Sequence, residues 1–493
     1  MKDLAGEAQG DTSATMRDGL AAATAAESGR PDARFRRFAA AIVVLALLLR
    51  LFYVFDAKVA QPIAGDVNQY VLYAWNLVHD GTFSSSLPNR GAIVPDSYRG
   101  PGYPVLLAAS MQASGGGELA LRDAGHGRLQ LVAVQPAWIT GVYLVQCLLG
   151  ALTVLLAMAI ARFWMTTGPA LCVGALTALW PHLISFSGVM LSETLFGFLL
   201  MLAVWLLLQT QRGDKAWIAA CAGAAFAMAY LVNPVVALFP VFAGCVLLLR
   251  RRPRLAAALL VVYLIAPVGW SIRNASLAHA NGSYERAAQN FVQGSWPDYL
   301  AAYNARHASP IANAIVNSES DEERAFVANS REGLGLMAAR MHQAPGDYLA
   351  WYLARKPFLL WDWSIRVGWG DVYFLATPVS PFTRVPALGT MKAAFAAGNP
   401  VFFALALVAT LACAWRFLWR PGKNGFAEGI VACLLLYLTL VHTVLQAEPR
   451  YSVPYRPEEL LMSVTAATWL IARVAARFRR NRSENAAGAG TPG

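Results

Sequence analysis

Gly65-Asp66-Val67-Asn68-Gln69-Tyr70 and, a little further on, Arg99-Gly100-Pro101-Gly102-Tyr103-Pro104 interrupt a chain that is otherwise a string of about ten apolar spans. Together they put an acid and an arginine just beyond the first span. That placement directs attention to chemistry at a membrane surface, on molecules that are themselves partly lipid.

Crossing a hydrocarbon core of roughly 30 Å takes about 20 apolar residues in a helix. Candidate spans fall at about 39–55, 136–161, 169–187, 190–208, 216–232, 235–249, 255–272, 399–418, 426–446 and 458–474. With 57% hydrophobic and 14% charged residues, against roughly 45–50% and about 25% in soluble domains, the chain reads as an integral membrane protein. Its formal net charge of +11 argues for anionic lipid headgroups rather than nucleic acid, because the basic residues cluster beside apolar spans. All six cysteines lie inside spans and none neighbours a histidine at ligand spacing, so neither a disulfide framework nor a zinc site is indicated. The seven histidines, including His126 and His279, are scattered without a ligating pattern. No cofactor is expected, and a divalent metal, though compatible with the chain, is not indicated.

Sidedness follows from the positive-inside rule. With the N-terminus cytoplasmic, the inside segments hold Arg34, Arg36 and Arg37; Arg162; Arg212 and Lys215; Arg250 to Arg254; Arg416, Arg420 and Lys423; and the run from Arg473 to Arg482. The short connections near Gly188 and Asn233 hold none. Val105 to Met111 is apolar but too short to cross, and counting it would invert every later loop, so it reads as interfacial or re-entrant. The expected class is therefore an all-α polytopic membrane protein. It divides into an arm at 1–33 that reads as disordered, with no cleavable signal, a first bundle at 34–272 of about seven helices, an outer segment at 273–398, three further spans at 399–476, and a basic, then flexible tail at 477–493. The first outer loop, 56–135, would bear interfacial helices; Val67 to His79 is amphipathic, with Val71, Leu72, Trp75 and Val78 on one side. The outer segment would form a small, mainly helical cap, built on a run from Asp321 to Met341 followed by Pro345-Gly346-Asp347-Tyr348.

Asp66 follows the first span closely enough to reach a lipid phosphate, yet with Gln69 three residues on it also matches a helix N-cap with a capping box. Arg50, late in the first span, either snorkels to the interface or faces a cavity and binds phosphate. Glu193 opens the fourth span, where a carboxylate favours a helix start. Arg99 precedes a turn made rigid by two prolines and two glycines, and such a turn can aim a guanidinium. Arg273 and Asn274 end the seventh span, and Arg450-Tyr451 opens a short outer loop; each can be a simple interfacial anchor. Their convergence on one face is harder to explain that way, since arginine holds phosphate through a planar, permanently charged fork.

In this order, these residues resemble the C-type glycosyltransferase superfamily, in particular the branch of protein O-mannosyltransferases and the bacterial transferases that add aminoarabinose to lipid A. The match runs over most of the chain: Arg50, Asp66 and Tyr70, the block Arg99 to Pro104 with Tyr103, Ser192-Glu193, Arg273-Asn274, and Arg450-Tyr451 with Pro454 and Pro457. Two positions depart from the pattern. Val67 stands where a second acid often follows the first-loop aspartate, leaving Asp96 as an alternative second acid. Asn233-Pro234 stands where an Arg-Pro pair is common. The resemblance implies transfer of a sugar, with inversion, from a polyprenyl-phosphate donor to a hydroxyl of protein, lipid A or another envelope glycan, in the bacterial inner membrane with both termini cytoplasmic and the site periplasmic. Asp66 would be the base, and Arg50, Tyr70, Arg99, Tyr103, Glu193, Arg273, Arg450 and Tyr451 would bind donor phosphate or substrate. A flippase for lipid-linked saccharides and an O-antigen-type ligase are the competing readings.

Overall fold

The computed structural model describes residues 33–88, 91–123, 129–134, 136–278, 282–297, 299–419 and 425–488. The expected disorder of the N-terminal arm therefore lies outside the described residues up to position 32, as do the end of the tail and His126, His279, Arg420 and Lys423. Nearly everything described is helical. The exception to the all-α expectation is one antiparallel hairpin in the first loop, Leu119–Asp123 paired with Leu129–Ala133.

Among the described residues six helices are long and apolar enough to cross a membrane: Ala33–Asp56, Ala137–Ala161, Pro253–Ala275, Pro386–Trp419, Phe426–Val444 and Pro449–Asn481. A seventh candidate is a pair, Thr167–Leu179 and Pro181–Gly188, bent by 55°. The break falls at Trp180, because the residue before a proline is driven out of helical geometry and Trp180 is extended at φ −65°, ψ 116°. Glu193–Gln209, Ala216–Val232 and Pro234–Leu249 are apolar but shorter. Each falls on a segment expected to cross. At 1.5 Å per residue, the 24 residues of Ala33–Asp56 extend about 36 Å. Its outward face carries Phe38, Leu48, Phe52 and Phe55 in the open, the surface a helix offers to lipid rather than water.

At one end of the bundle the basic loops pack together. Arg162 lies over the Phe35 ring, Arg212 over Phe163, Arg250 over Phe426 and Arg416 over Trp469, while Arg252 donates to the Thr210 carbonyl at 2.9 Å. At the other end the first loop, the 282–380 insertion and the 445–456 turn meet.

Two local expectations gain detail. Helix Asp66–His79 forms over the stretch read as amphipathic. Val67, Tyr70, Val71, Leu72, Tyr73 and Ala74 are all buried, and Gly102–Ala113 packs against the helix. The run from Asp321 to Met341 is two helices, Pro310–Ala328 and Ser330–Gln343, divided at Asn329, whose side chain accepts the Arg331 N–H and caps the second. Pro345 starts a further short helix, Pro345–Ala350. Gly102–Ala113, at 12 residues or about 18 Å, is too short to span, as its sequence suggested.

Candidate functional site

Asp66 is the first residue of its helix and not the cap. Gly65 holds the cap position at φ 57°, a left-handed conformation that glycine adopts without a Cβ penalty. This turn directs the Asp66 carboxylate away from the helix's own N–H groups. The capping box is not formed, because Gln69 Oε1 instead accepts from Arg99 Nε at 2.7 Å.

Two arginines, one from the same loop and one 384 positions further on, hold the carboxylate. Arg99 Nη2 donates to Asp66 Oδ1 at 2.9 Å and Arg450 Nη1 to Oδ2 at 2.9 Å. Arg450 also donates through Nε to Glu193 Oε1 at 2.6 Å, so one guanidinium joins two carboxylates brought from separate parts of the chain. The arginine side chains are 5% and 9% exposed and that of Asp66 37%. The cations are thus fixed in the wall while the anion stays open to a ligand. Burial alone would raise the Asp66 pKa, but Arg450, then Arg99 and Arg286, outweigh it and hold the carboxyl well below the usual carboxylate range.

Aromatic faces aim the guanidiniums. Arg99 lies 5.0 Å from the Tyr70 ring centroid and Arg450 4.1 Å from that of Phe374. Tyr70 packs edge-on against Tyr103 at 5.1 Å, and Tyr103 donates to Gln146 Oε1 at 2.9 Å. The turn before them depends on its glycines. A Cβ on Gly100 would sit 2.4 Å from the Leu231 carbonyl oxygen, so the block from Arg99 to Pro104 lies directly on the backbone ahead of Asn233. Asn233 itself caps its own turn by accepting the Val235 N–H.

The remaining candidates are placed differently. Arg50 is buried, donates to the Ala46 carbonyl at 3.0 Å, and lines a narrow cavity that Glu193 also lines; it does not touch Asp66. Arg273 donates to the backbone carbonyls of Asp96 at 2.6 Å and Phe83 at 3.3 Å, fastening the first loop. Asp96 accepts from Ser85 N and Oγ at 2.9 and 2.7 Å, from Tyr98 N at 3.1 Å and from the Tyr73 hydroxyl. These bonds shape a loop and leave it no hydrogen bond to Asp66 or its arginines. Tyr451 donates to Gln446 Oε1 at 3.0 Å, beside the cluster.

Three contributors escaped sequence reasoning. Phe374 carried no signal, being one aromatic among many. Glu448 accepts Arg450 N at 2.9 Å and Arg366 N at 2.8 Å, tying the arginine turn to the insertion. Its place before Pro449-Arg450 was the available signal, an acidic cap ahead of a proline at the first helical position. Burial raises its pKa to about 7, against the opposing pull of Arg450. Arg286 bears on Asp66 only through space. Among the described residues no group of three His, Cys, Asp or Glu side chains is arranged to hold a metal ion.

No protein-family model matches the chain, and no curated protein matches it in sequence. Among solved structures it is similar to the archaeal oligosaccharyltransferase AglB from Archaeoglobus fulgidus in complex with an inhibitory peptide and a dolichol-phosphate, at 13% identity and a TM-score of 0.46, over 91% of this chain and 52% of that one. The apo form of the Archaeoglobus fulgidus oligosaccharyltransferase gives 14%, 0.45, 92% and 52%. ArnT from Cupriavidus metallidurans bound to undecaprenyl phosphate gives 15%, 0.36, 83% and 76%. The chain spans about half the length of the oligosaccharyltransferase.

Proposed function

We propose that this chain is a membrane glycosyltransferase that moves a sugar from a polyprenyl-phosphate donor to a hydroxyl acceptor, with inversion at the anomeric carbon. The observation that carries this reading is the double grip of Arg99 and Arg450 on a half-open Asp66, with Glu193 behind Arg450.

Such a cluster is a resting state with a built-in trigger. Gripped by two cations, Asp66 is ionised but a weak base, since proton-accepting power falls with pKa. A donor phosphate competes for the same guanidiniums, for which bidentate binding is natural. As the arginines turn to the phosphate, Asp66 loses its counter-charges and its burial raises its pKa. The acceptor oxygen then bonds to the anomeric carbon and its proton passes to Asp66. The bond to phosphate breaks, and the electron pair leaves on polyprenyl phosphate, whose charge the arginines hold. Glu193, Tyr70 and Tyr103 keep the arginines aimed. Arg50 and Arg273 act from behind the site, and Asp96 shapes the loop.

The clustering of basic side chains at one end of the bundle supports a cytoplasmic placement of that end. The Asp66 end is then non-cytoplasmic, in keeping with ten spans, cytoplasmic termini and a periplasmic site in a bacterial inner membrane, with the 273–398 segment as an outer cap. Nucleotide sugars are not available on that side, and a lipid-linked donor meets the need. A flippase is less favoured. An inverted repeat calls for a matched pair of broken helices, and the bend at Trp180 has no counterpart among the described residues. The test is to give the purified protein polyprenyl-phosphate sugars in detergent and measure released polyprenyl phosphate. Wild-type release that Asp66→Asn abolishes supports transfer; no release with any donor sugar rejects it.

A further inference from the structure

Helix Gly282–Gly294, at the start of the insertion, is fastened to the first loop. Ser283, Arg286 and Gln289 are spaced by three and so share one face of it. On that face the Ser283 hydroxyl donates to the Ser97 carbonyl at 2.5 Å, and Gln289 Oε1 accepts from the Tyr98 hydroxyl at 2.8 Å. Gly282 lets the two backbones approach, since a Cβ there would lie 2.8 Å from Tyr98 N. The bonded residues on either side fix the position of Arg286 between them. Its guanidinium lies 5.4 Å from the Tyr98 ring centroid, and that of Arg99 lies 5.7 Å from the same centroid. One ring therefore orients a guanidinium from each segment.

Arg99 and Arg450 are committed to Asp66 and Glu193. Arg286 is half-buried, and among the described residues its one direct contact is with the Tyr98 ring. Its charge is felt at Asp66, beside those of Arg450 and Arg99, and at Tyr451. Glu285, next to it in the chain, bears on Glu323 instead. Three guanidiniums thus gather at two carboxylates, Asp66 and Glu193. Glu448, behind Arg450 and with a pKa of about 7, offsets only part of the excess positive charge.

We propose that Arg286 captures the donor phosphate before Arg99 and Arg450 leave Asp66, an inference that rests on the transfer reading of that site. A phosphate approaching Asp66 directly meets a like charge and two guanidiniums already occupied. A third guanidinium, uncommitted and oriented in advance, lets the phosphate dock first and then trade places with Asp66 at the other two. Phosphate suits it because a planar fork can donate to two oxygens at once.

The test titrates full-length protein in detergent with undecaprenyl phosphate at low and high salt, with undecaprenol as the uncharged control. Arg286→Gln should bind undecaprenyl phosphate about tenfold more weakly at low salt through the lost charge-assisted contact, and undecaprenol as wild type does. The deficit should shrink as salt screens the charge, and Arg286→Lys, which keeps the charge, should recover most of it. In turnover the loss should fall on donor KM and not on acceptor KM. The melting temperature should hold, because no hydrogen bond of Arg286 is given up. Binding by Arg286→Gln within about twofold of wild type, a deficit shared by undecaprenol or indifferent to salt, or a rise confined to acceptor KM overturns the proposal. The two readings fail separately: intact phosphate binding in Arg286→Gln with release lost in Asp66→Asn sinks only the capture role, whereas undiminished release in Asp66→Asn sinks the transfer reading whatever Arg286 does.

Discussion

Replacing Asp66 with asparagine removes the one charge on which Arg99 and Arg450 converge while keeping the shape of the side chain. Each ion pair spans 2.9 Å, which at an effective dielectric of about 20 is an attraction of roughly 6 kcal/mol before screening. Because the Asp66 side chain is 37% exposed, solvent reduces that to about 1–2 kcal/mol per pair. Arg450 keeps Glu193 at 2.6 Å, and the amide oxygen of the asparagine can still accept from one guanidinium. The stability cost should therefore be about 1–3 kcal/mol, too small to unfold a domain of ordinary stability. Catalysis should suffer more, since loss of a positioned base lowers rates by about 10²–10⁴, or roughly 3–5 kcal/mol of barrier. The assay is polyprenyl phosphate release by purified variant and wild type over a pH series, with melting temperature as the folding control. Asparagine accepts no proton at any pH, so alkaline conditions should not restore the rate. Turnover within about tenfold of wild type, in a variant that melts normally, would refute Asp66 as the base.

Arg99→Ala should raise the donor KM by about tenfold or more through the lost charge-assisted contact; a change confined to acceptor KM would place the phosphate elsewhere. Gly100→Ala sets a Cβ 2.4 Å from the Leu231 carbonyl and should destabilise by about 1–3 kcal/mol, read as a lower melting temperature with activity lost in parallel; an unchanged melt would mean the turn can move off the Leu231 backbone at no cost. Glu448 has a folded pKa near 7, above its unfolded value of about 4.3, so the folded state binds the extra proton. Stability should fall as pH rises from about 4.3 to about 7, by up to roughly 4 kcal/mol, and Glu448→Gln should flatten that slope in melts between pH 5 and 8; an unaltered slope would rule Glu448 out as its source.

The long helices were legible because their signal is local. A run of apolar residues long enough to cross a bilayer is read one window at a time, and the expected segments fall, among the described residues, on six helices long enough to cross, one bent pair and three shorter apolar helices. Asp66, Arg99 and Arg450 were legible as types at the right places, since an acid or arginine beside an apolar span is conspicuous. Their pairing was not. Asp66 and Gln69 read locally as a capping box, and only the approach of Arg99 and Arg450 from other segments drew both side chains away from the helix start. Asp96 and Arg273 looked like site residues for the same reason that Asp66 did, but hydrogen bonds to Ser85, Tyr98 and the Phe83 carbonyl bind them to the first loop. The hairpin at 119–133 and the burial of helix Asp66–His79 likewise depend on what packs against them. Hydropathy and residue type thus set the class of the molecule and point to its candidate charged groups, because both are properties of short stretches of chain. Which carboxylate meets which guanidinium, and which stays open to a ligand, is decided by contacts between residues 33 to 384 positions apart, on which the order of the chain is silent.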